Sequence, residues 1–149
     1  MAPVRFTCVQ VMKIGPDEVR AGILDVEQWT DFRGYGPLPG IRRATFVERT
    51  PEVVGSRIAV ENEDGSTHVE QIVAWGDEIA MRMSSFSPPL SRLATHFDES
   101  WRFETIADGT RVERTFVLHA KSAWTRPLLS LIALPLRRAV ARHLASMAG

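Results

Sequence analysis

Three dipeptides frame this chain: Asp64-Gly65, Gly76-Asp77 and Asp108-Gly109, each set between runs rich in alternating apolar residues. Such pairs are two-residue turns between adjacent antiparallel strands, because their residues accept positive φ. They predict strands over 54–63, 66–75, 78–86, 96–106 and 111–120, with another over 41–49. Ser87-Pro88-Pro89 marks a looser connection. Residues 4–14, rich in Val, Phe, Thr and Ile, predict a first strand. Gly15-Pro16-Asp17 stops it and opens a helix, with acids beside the positive end of the dipole. Val19, Ile23, Leu24 and Val26 form the apolar side, and a second short helix is expected from Glu27 to Phe32. Residues 33–40, Arg-Gly-Tyr-Gly-Pro-Leu-Pro-Gly, can only be a loop.

From Thr125 onward the pattern turns helical. Thr125 is the expected cap, and Pro127 suits a first turn. The order is strand, two short helices, six strands, long helix, with no linker or repeat. The 149 residues therefore make one domain, 1–149, of a size that buries about 70% of its unfolded surface. A seven-stranded antiparallel sheet needs one face covered, and only the terminal helix is long enough to cover it. Leu129, Ile132, Leu136, Val140, His143 and Met147 share one stripe of that helix. Arg137, Arg138 and Arg142 lie off it, and Pro135 is expected to bend the helix along a curved sheet. A curved sheet gripping one helix leaves space between them.

Composition narrows the function. One cysteine, Cys8, excludes an internal disulfide framework and a Cys-rich zinc site; its apolar surroundings predict a buried thiol. A net charge of zero removes any global electrostatic case for nucleic acid. Residues 121–149 hold five basic residues and no acid, whereas residues 1–120 hold 13 basic and 18 acidic residues. A basic helix of this kind either pairs with acids of the rest of the chain or makes transient contact with an anionic membrane surface. No signal peptide and no spanning segment is read, so a soluble, cytoplasmic protein is expected.

Hairpin register extends the reading to faces of the sheet. With Asp108-Gly109 as the turn, Phe103 stands opposite Arg114, Trp101 opposite Phe116 and Glu99 opposite Leu118. Phe97, Glu99, Trp101, Phe103, Val112, Arg114, Phe116 and Leu118 then share one face, which must point inward; His96, Asp98, Arg102 and His119 point outward. Glu99 and Arg114 come out four residues apart along the ladder, about 13 Å. With Gly76-Asp77 as the turn, Glu70 faces Met83 and Ile72 faces Met81, and His68 and Ile79 share their side. With Asp64-Gly65 as the turn, Arg57, Ala59 and Glu61 line up with Ile72, Glu70 and His68. A slip of one residue would reverse such assignments.

The order of elements, with Ile14-Gly-Pro-Asp-Glu-Val19, Val54-Gly-Ser56, Val69-Glu-Gln-Ile-Val-Ala-Trp75 and Gly109-Thr-Arg-Val112 in their places, resembles the START/Bet v 1-like superfamily, in particular its polyketide cyclase/dehydrase-like branch. The resemblance spans essentially the whole chain. It implies an α+β helix-grip fold: a seven-stranded curved antiparallel sheet around a long C-terminal helix, with two short helices after the first strand. It also selects the Ile72/Met81/Met83 face as the inward one and implies a cavity for an apolar or amphipathic small molecule. It implies no single activity.

The expected ligand-binding set is His68, Glu70, Met81, Met83, Glu99, Trp101, Arg114, Phe116, Val140 and His143. The inward charges Glu70, Glu99 and Arg114 either satisfy one another with water or orient a ligand's polar end. His143 is either a satisfied core residue or a general base with a pKa near neutral. His68, His96, His119 and His143 show no close ligand spacing, so no metal is expected, and no other cofactor. No nucleophile motif is present. Gly34 to Gly40 lacks the residues of a phosphate loop and is expected to form a rim, with Tyr35 and Leu38 as its apolar contacts. The readings that remain are a carrier or sensor of a hydrophobic ligand, a cyclase or dehydratase of the polyketide type, and an interaction module whose interior is filled. The lining without a recognisable acid–base set favours the carrier.

Overall fold

A computed structural model describes residues 1–148. The chain forms β1 (Val4–Met12), α1 (Pro16–Leu24), a 3-10 turn (Val26–Asp31), β2 (Ile41–Glu48), β3 (Arg57–Asn62), β4 (Thr67–Ala74), β5 (Glu78–Ser84), a second 3-10 turn (Leu90–Arg92), β6 (Ala94–Ile106), β7 (Gly109–Ala120) and α2 (Arg126–Met147). The second predicted helix is thus a 3-10 turn, and the turn at Leu90 was not foreseen. The strands make one antiparallel sheet in the order β1-β7-β6-β5-β4-β3-β2. β1 and β2 are consecutive in sequence yet occupy opposite edges, joined across the mouth of the sheet by α1 and the 3-10 turn. This is the α+β helix-grip arrangement.

Pro16 occupies the first turn of α1, where its missing N–H is not needed. Thr125 precedes α2 but does not cap it through its side chain; its hydroxyl donates to the Ser122 carbonyl at 3.1 Å. Pro135 lies inside α2. Alternation in β6 and β7 buries Phe97, Glu99, Trp101, Val112, Arg114, Phe116 and Leu118, the face predicted to point inward. Ile72, Ile79 and Met81 are buried likewise, and Glu70↔Met83 and Ile72↔Met81 pair as predicted.

Two registers differ from expectation. Ile106 pairs with Gly109, so Ala107 and Asp108 form the corner. Gly109, at φ 153°, begins β7. It sits so close to the end of β1 that a Cβ there would collide with the Met12 carbonyl oxygen. The ladder is therefore displaced by two residues: Phe103 faces Val112, Trp101 faces Arg114 and Glu99 faces Phe116. A displacement of two keeps every side chain on its predicted face. The β3–β4 hairpin errs by one instead. The Asn62 N–H donates to the Ser66 carbonyl at 2.8 Å, leaving a three-residue loop with Gly65 at φ 87°, a common geometry for such loops. Ile58 then faces Glu70 and Val60 faces His68. Ile58 and Val60 are the buried residues, not Arg57, Ala59 and Glu61.

α2 lies against β1. Leu129, Ala133, Leu136, Ala139, Val140 and Leu144 are its buried residues, and Cys8 donates from β1 to the Arg137 carbonyl at 3.6 Å. No helix among the described residues is long and apolar enough to cross a membrane.

Candidate functional site

Between α2, the rim loop and the concave face of the sheet lies a cavity of about 350 Å³. The interior is therefore not filled by side chains. Its walls are mostly apolar: Met81 and Met83 from β5, Phe97 and Trp101 from β6, Phe116 from β7, and Ile132, Leu136 and Met147 from α2. Sequence reasoning placed His68, Glu70, Met81, Met83, Glu99, Trp101, Arg114, Phe116 and His143 here, and all nine line the cavity. Val140 does not. It is fully buried in the core, since its side of α2 packs on the sheet.

Leu38, expected as an apolar contact of the rim, lines the cavity; Trp29, Phe32, Phe86 and Leu90 also line it and were missed. They come from the two 3-10 turns and the loops, where no periodicity reports which way a side chain points. The rim loop is held as a tight structure: Tyr35 and Leu38 exchange backbone hydrogen bonds at 3.0 Å. Gly34, at φ 74°, is pressed against the Leu38 carbonyl oxygen, which leaves no room for a Cβ. Leu38 lines the cavity while Arg138 and Arg142 of α2 lie over the Tyr35 ring, 5.6 and 5.7 Å from its centre. These cation–π contacts tie the rim to the helix.

Two clusters of buried polar groups line the cavity, besides more exposed polar residues such as Asn62, Asp64, Ser66 and Thr67. Glu99 and Arg114, 2% and 7% exposed, were expected to stand apart. Instead the register brings them together. Arg114 donates to Glu99 Oε2 from Nη2 at 2.6 Å and from Nε at 2.8 Å. Its Nη1 donates to His143 Nδ1 at 3.0 Å. The guanidinium also stacks over Trp101, 4.4 Å from its ring centre, and lies 5.2 Å from that of Phe116. A cation so enclosed is oriented as well as compensated. In the second cluster, His68 Nε2 and Glu70 Oε2 lie 3.0 Å apart in a hydrogen bond.

Environment decides the charge states. Burial pushes the Glu99 carboxyl above the usual carboxylate range; the Arg114 guanidinium opposes that and the nearby Glu70 adds to it. Burial, with Arg114 beside it, pulls His143 down to about 3. His143 is therefore neutral near pH 7 and not a base poised at neutrality. Because Arg114 can only donate, Nδ1 accepts, and the ring's proton is on Nε2. Arg114 keeps further N–H donors beyond those engaged. Trp101 Nε1 is a buried donor that makes no close hydrogen bond among the described residues and lies near enough to Glu99 to favour its carboxylate form. The cavity thus offers hydrogen-bond donors at one end of an apolar chamber.

The chain matches, over residues 3–149, the family described as polyketide cyclase / dehydrase and lipid transport. It belongs to that family. Among solved structures it is similar to a START superfamily protein from Mycobacterium smegmatis, at 11% identity and a TM-score of 0.73, covering 99% of this chain and 97% of that one. It is similar to the Zhui aromatase/cyclase of a Streptomyces species at 14% identity and a TM-score of 0.73, covering 98% and 93%. It is also similar to a major latex-like protein of Panax ginseng at 15% identity and a TM-score of 0.63, covering 96% and 98%. At such identities the likeness is one of fold. Among curated protein sequences, none matches the chain.

Proposed function

We propose that this family member binds and carries an apolar or amphipathic small molecule. The observation that supports this best is the Glu99–Arg114–His143 cluster, whose guanidinium keeps spare N–H donors, in a mostly apolar cavity of about 350 Å³. That volume lies within the usual range for small-molecule sites, and few polar groups in an apolar chamber is their usual composition. The carbon skeleton of the ligand lies along Met81, Met83, Phe97 and Leu136; its carbonyl or hydroxyl oxygen meets the spare N–H groups of Arg114. Met and aromatic walls suit a lining that adapts to its ligand. Ligand exchange takes place at an anionic membrane surface, met by the outer face of α2.

A second reading is favoured by one observation: Glu99 holds its proton more tightly than an ordinary carboxylate, beside a guanidinium able to polarise a carbonyl. That is the equipment of a cyclase or dehydratase, the activity in the family's description. Native mass spectrometry of freshly purified protein separates the readings. A bound apolar molecule that is released unchanged, and lost in Arg114→Gln, supports the carrier. A poly-β-ketone probe that leaves cyclised or short of one water supports the enzyme. Protein that retains no apolar molecule and binds no fluorescent fatty-acid or aromatic probe would falsify both.

A further inference from the structure

The outer face of β6 and β7 carries a cluster that the cavity does not use. His96 and His119 are directly opposed in the ladder, their rings 4.2 Å apart and 17° from parallel. Asp98 follows two residues after His96, on the same outward face. Its Oδ2 lies 3.1 Å from His119 Nε2 and 3.6 Å from His96 Nε2. All three candidate ligand atoms lie within 4.8 Å of one another.

We propose that His96, Asp98 and His119 bind one divalent ion of the late transition series, with zinc as the reference ion. Two imidazole nitrogens and a carboxylate oxygen are the donors such ions prefer over calcium or magnesium. Ligand atoms on a tetrahedral zinc ion stand about 3.3 Å apart, given bonds of about 2.0–2.1 Å. The separations of 3.1 and 3.6 Å bracket that value. The two nitrogens lie within 4.8 Å of each other, and small rotations of the partly exposed rings adjust them. The side left open to solvent supplies a water as the remaining ligand.

The neighbours orient the donors; His119 Nε2, which donates to Asp98 Oδ2 at 3.1 Å without a metal, gives up that proton when it binds one. Thr95 Oγ1 lies 2.9 Å from His96 Nδ1 and 3.4 Å from the His119 carbonyl oxygen. The hydroxyl gives its proton to that carbonyl and accepts the Nδ1 proton, which leaves the lone pair of His96 on Nε2, facing Asp98. Arg82 Nε donates to Asp98 Oδ1 at 2.9 Å, turning Oδ2 toward the rings. Arg82 sets a limit, because its charge weakens the attraction of Asp98 for a cation. An ion held here would pin β6 to β7 from outside and touch nothing in the cavity.

The test is calorimetric titration of tag-free, metal-free protein with zinc chloride near neutral pH, alongside thermal melts with and without zinc. One ion per chain and a raised melting temperature are expected. His96→Gln and His119→Gln should each weaken binding by at least about 10-fold, and Thr95→Val by about 10-fold through loss of the orienting hydroxyl. His68→Gln, in the cavity, should leave zinc affinity unchanged. Melts without zinc establish that the variants fold. No uptake at millimolar zinc, or uptake that persists in a folded His96→Gln/His119→Gln variant, overturns the proposal.

Discussion

Arg114 reaches Glu99 because Ala107 and Asp108 form the corner of the hairpin, with Gly109 the first residue of β7. The face of each residue was legible in the alternation, but its partner was not, since the turn could be placed one residue either way with the same faces. The pair is now a stability element. Arg114→Ala should destabilise the protein by about 3–5 kcal/mol, the usual effect of stranding one member of a buried pair. Glu99→Leu combined with Arg114→Met should lose much less. Denaturant unfolding of the single and double variants measures the coupling; additive losses would show that the two groups do not depend on each other. His143 gives a pH signature. Its pKa is about 6.5 in an unfolded chain and about 3 in the fold. Between those values the unfolded chain takes up a proton that the folded chain refuses, so this group's contribution is complete above about pH 6.5 and is lost as pH falls toward about 3. Glu99 has the opposite sign: its raised pKa makes the folded chain hold a proton longer, so its contribution declines as pH rises through that raised value. The change in unfolding free energy from pH 7 to pH 5 is the balance of these opposed contributions. The wild type should lose about 2 kcal/mol more over that range than His143→Gln, at about 1.4 kcal/mol per pKa unit. Equal changes in the two proteins would show that His143 accepts a proton in the fold.

α2 has three working faces where the sequence suggested two. The predicted stripe mixed residues that pack on the sheet, such as Leu129 and Val140, with residues that line the cavity, such as Ile132, His143 and Met147. The two faces adjoin, so a single periodicity could not separate them. Ala133 and Ala139 were passed over as weakly apolar, yet their small size suits a helix lying close on β1. The third face points outward: Leu128, Leu131 and Leu134 lie exposed along it, and Trp124, 91% exposed, precedes it. Arg137, Arg138 and Arg142 form no ion pair among the described residues, against the expectation that acids elsewhere in the chain might absorb them. These faces should respond differently. Leu144→Ala, in the core, should destabilise by about 2–5 kcal/mol, and Leu131→Ala, at 62% exposure, by no more than about 0.5 kcal/mol. Membrane binding should show the reverse. The wild type should float with vesicles containing anionic lipid, less so at physiological salt, with up to about 1 kcal/mol from each basic residue near the surface. Leu131→Glu should abolish flotation. Negligible flotation of the wild type at low salt would leave the third face without a lipid partner.

At the scale of the molecule, the sequence was most legible in its order of elements and least in its loops. Three hairpins, an opening strand and a closing helix point to one gripped sheet, and that architecture leaves room for a space inside it. The rim is different: Phe86, Leu90 and Trp29 enter the cavity wall through irregular backbone whose direction depends on tertiary contacts. The same topology has a consequence for how the protein is made. β1 is made before the rest of the sheet, yet among the described residues its one partner there is β7; Thr7 and Thr115, bonded through their hydroxyls in the finished sheet, are 108 residues apart. At about 5–20 residues per second, the first strand waits about 5–20 s for the strand that completes it. During that interval Phe6, Cys8 and Met12, buried in the finished fold, have neither β7 nor α2 to cover them. The nascent domain therefore carries a bare apolar strand for most of its synthesis, and sheltering that strand falls to whatever meets it outside the exit tunnel.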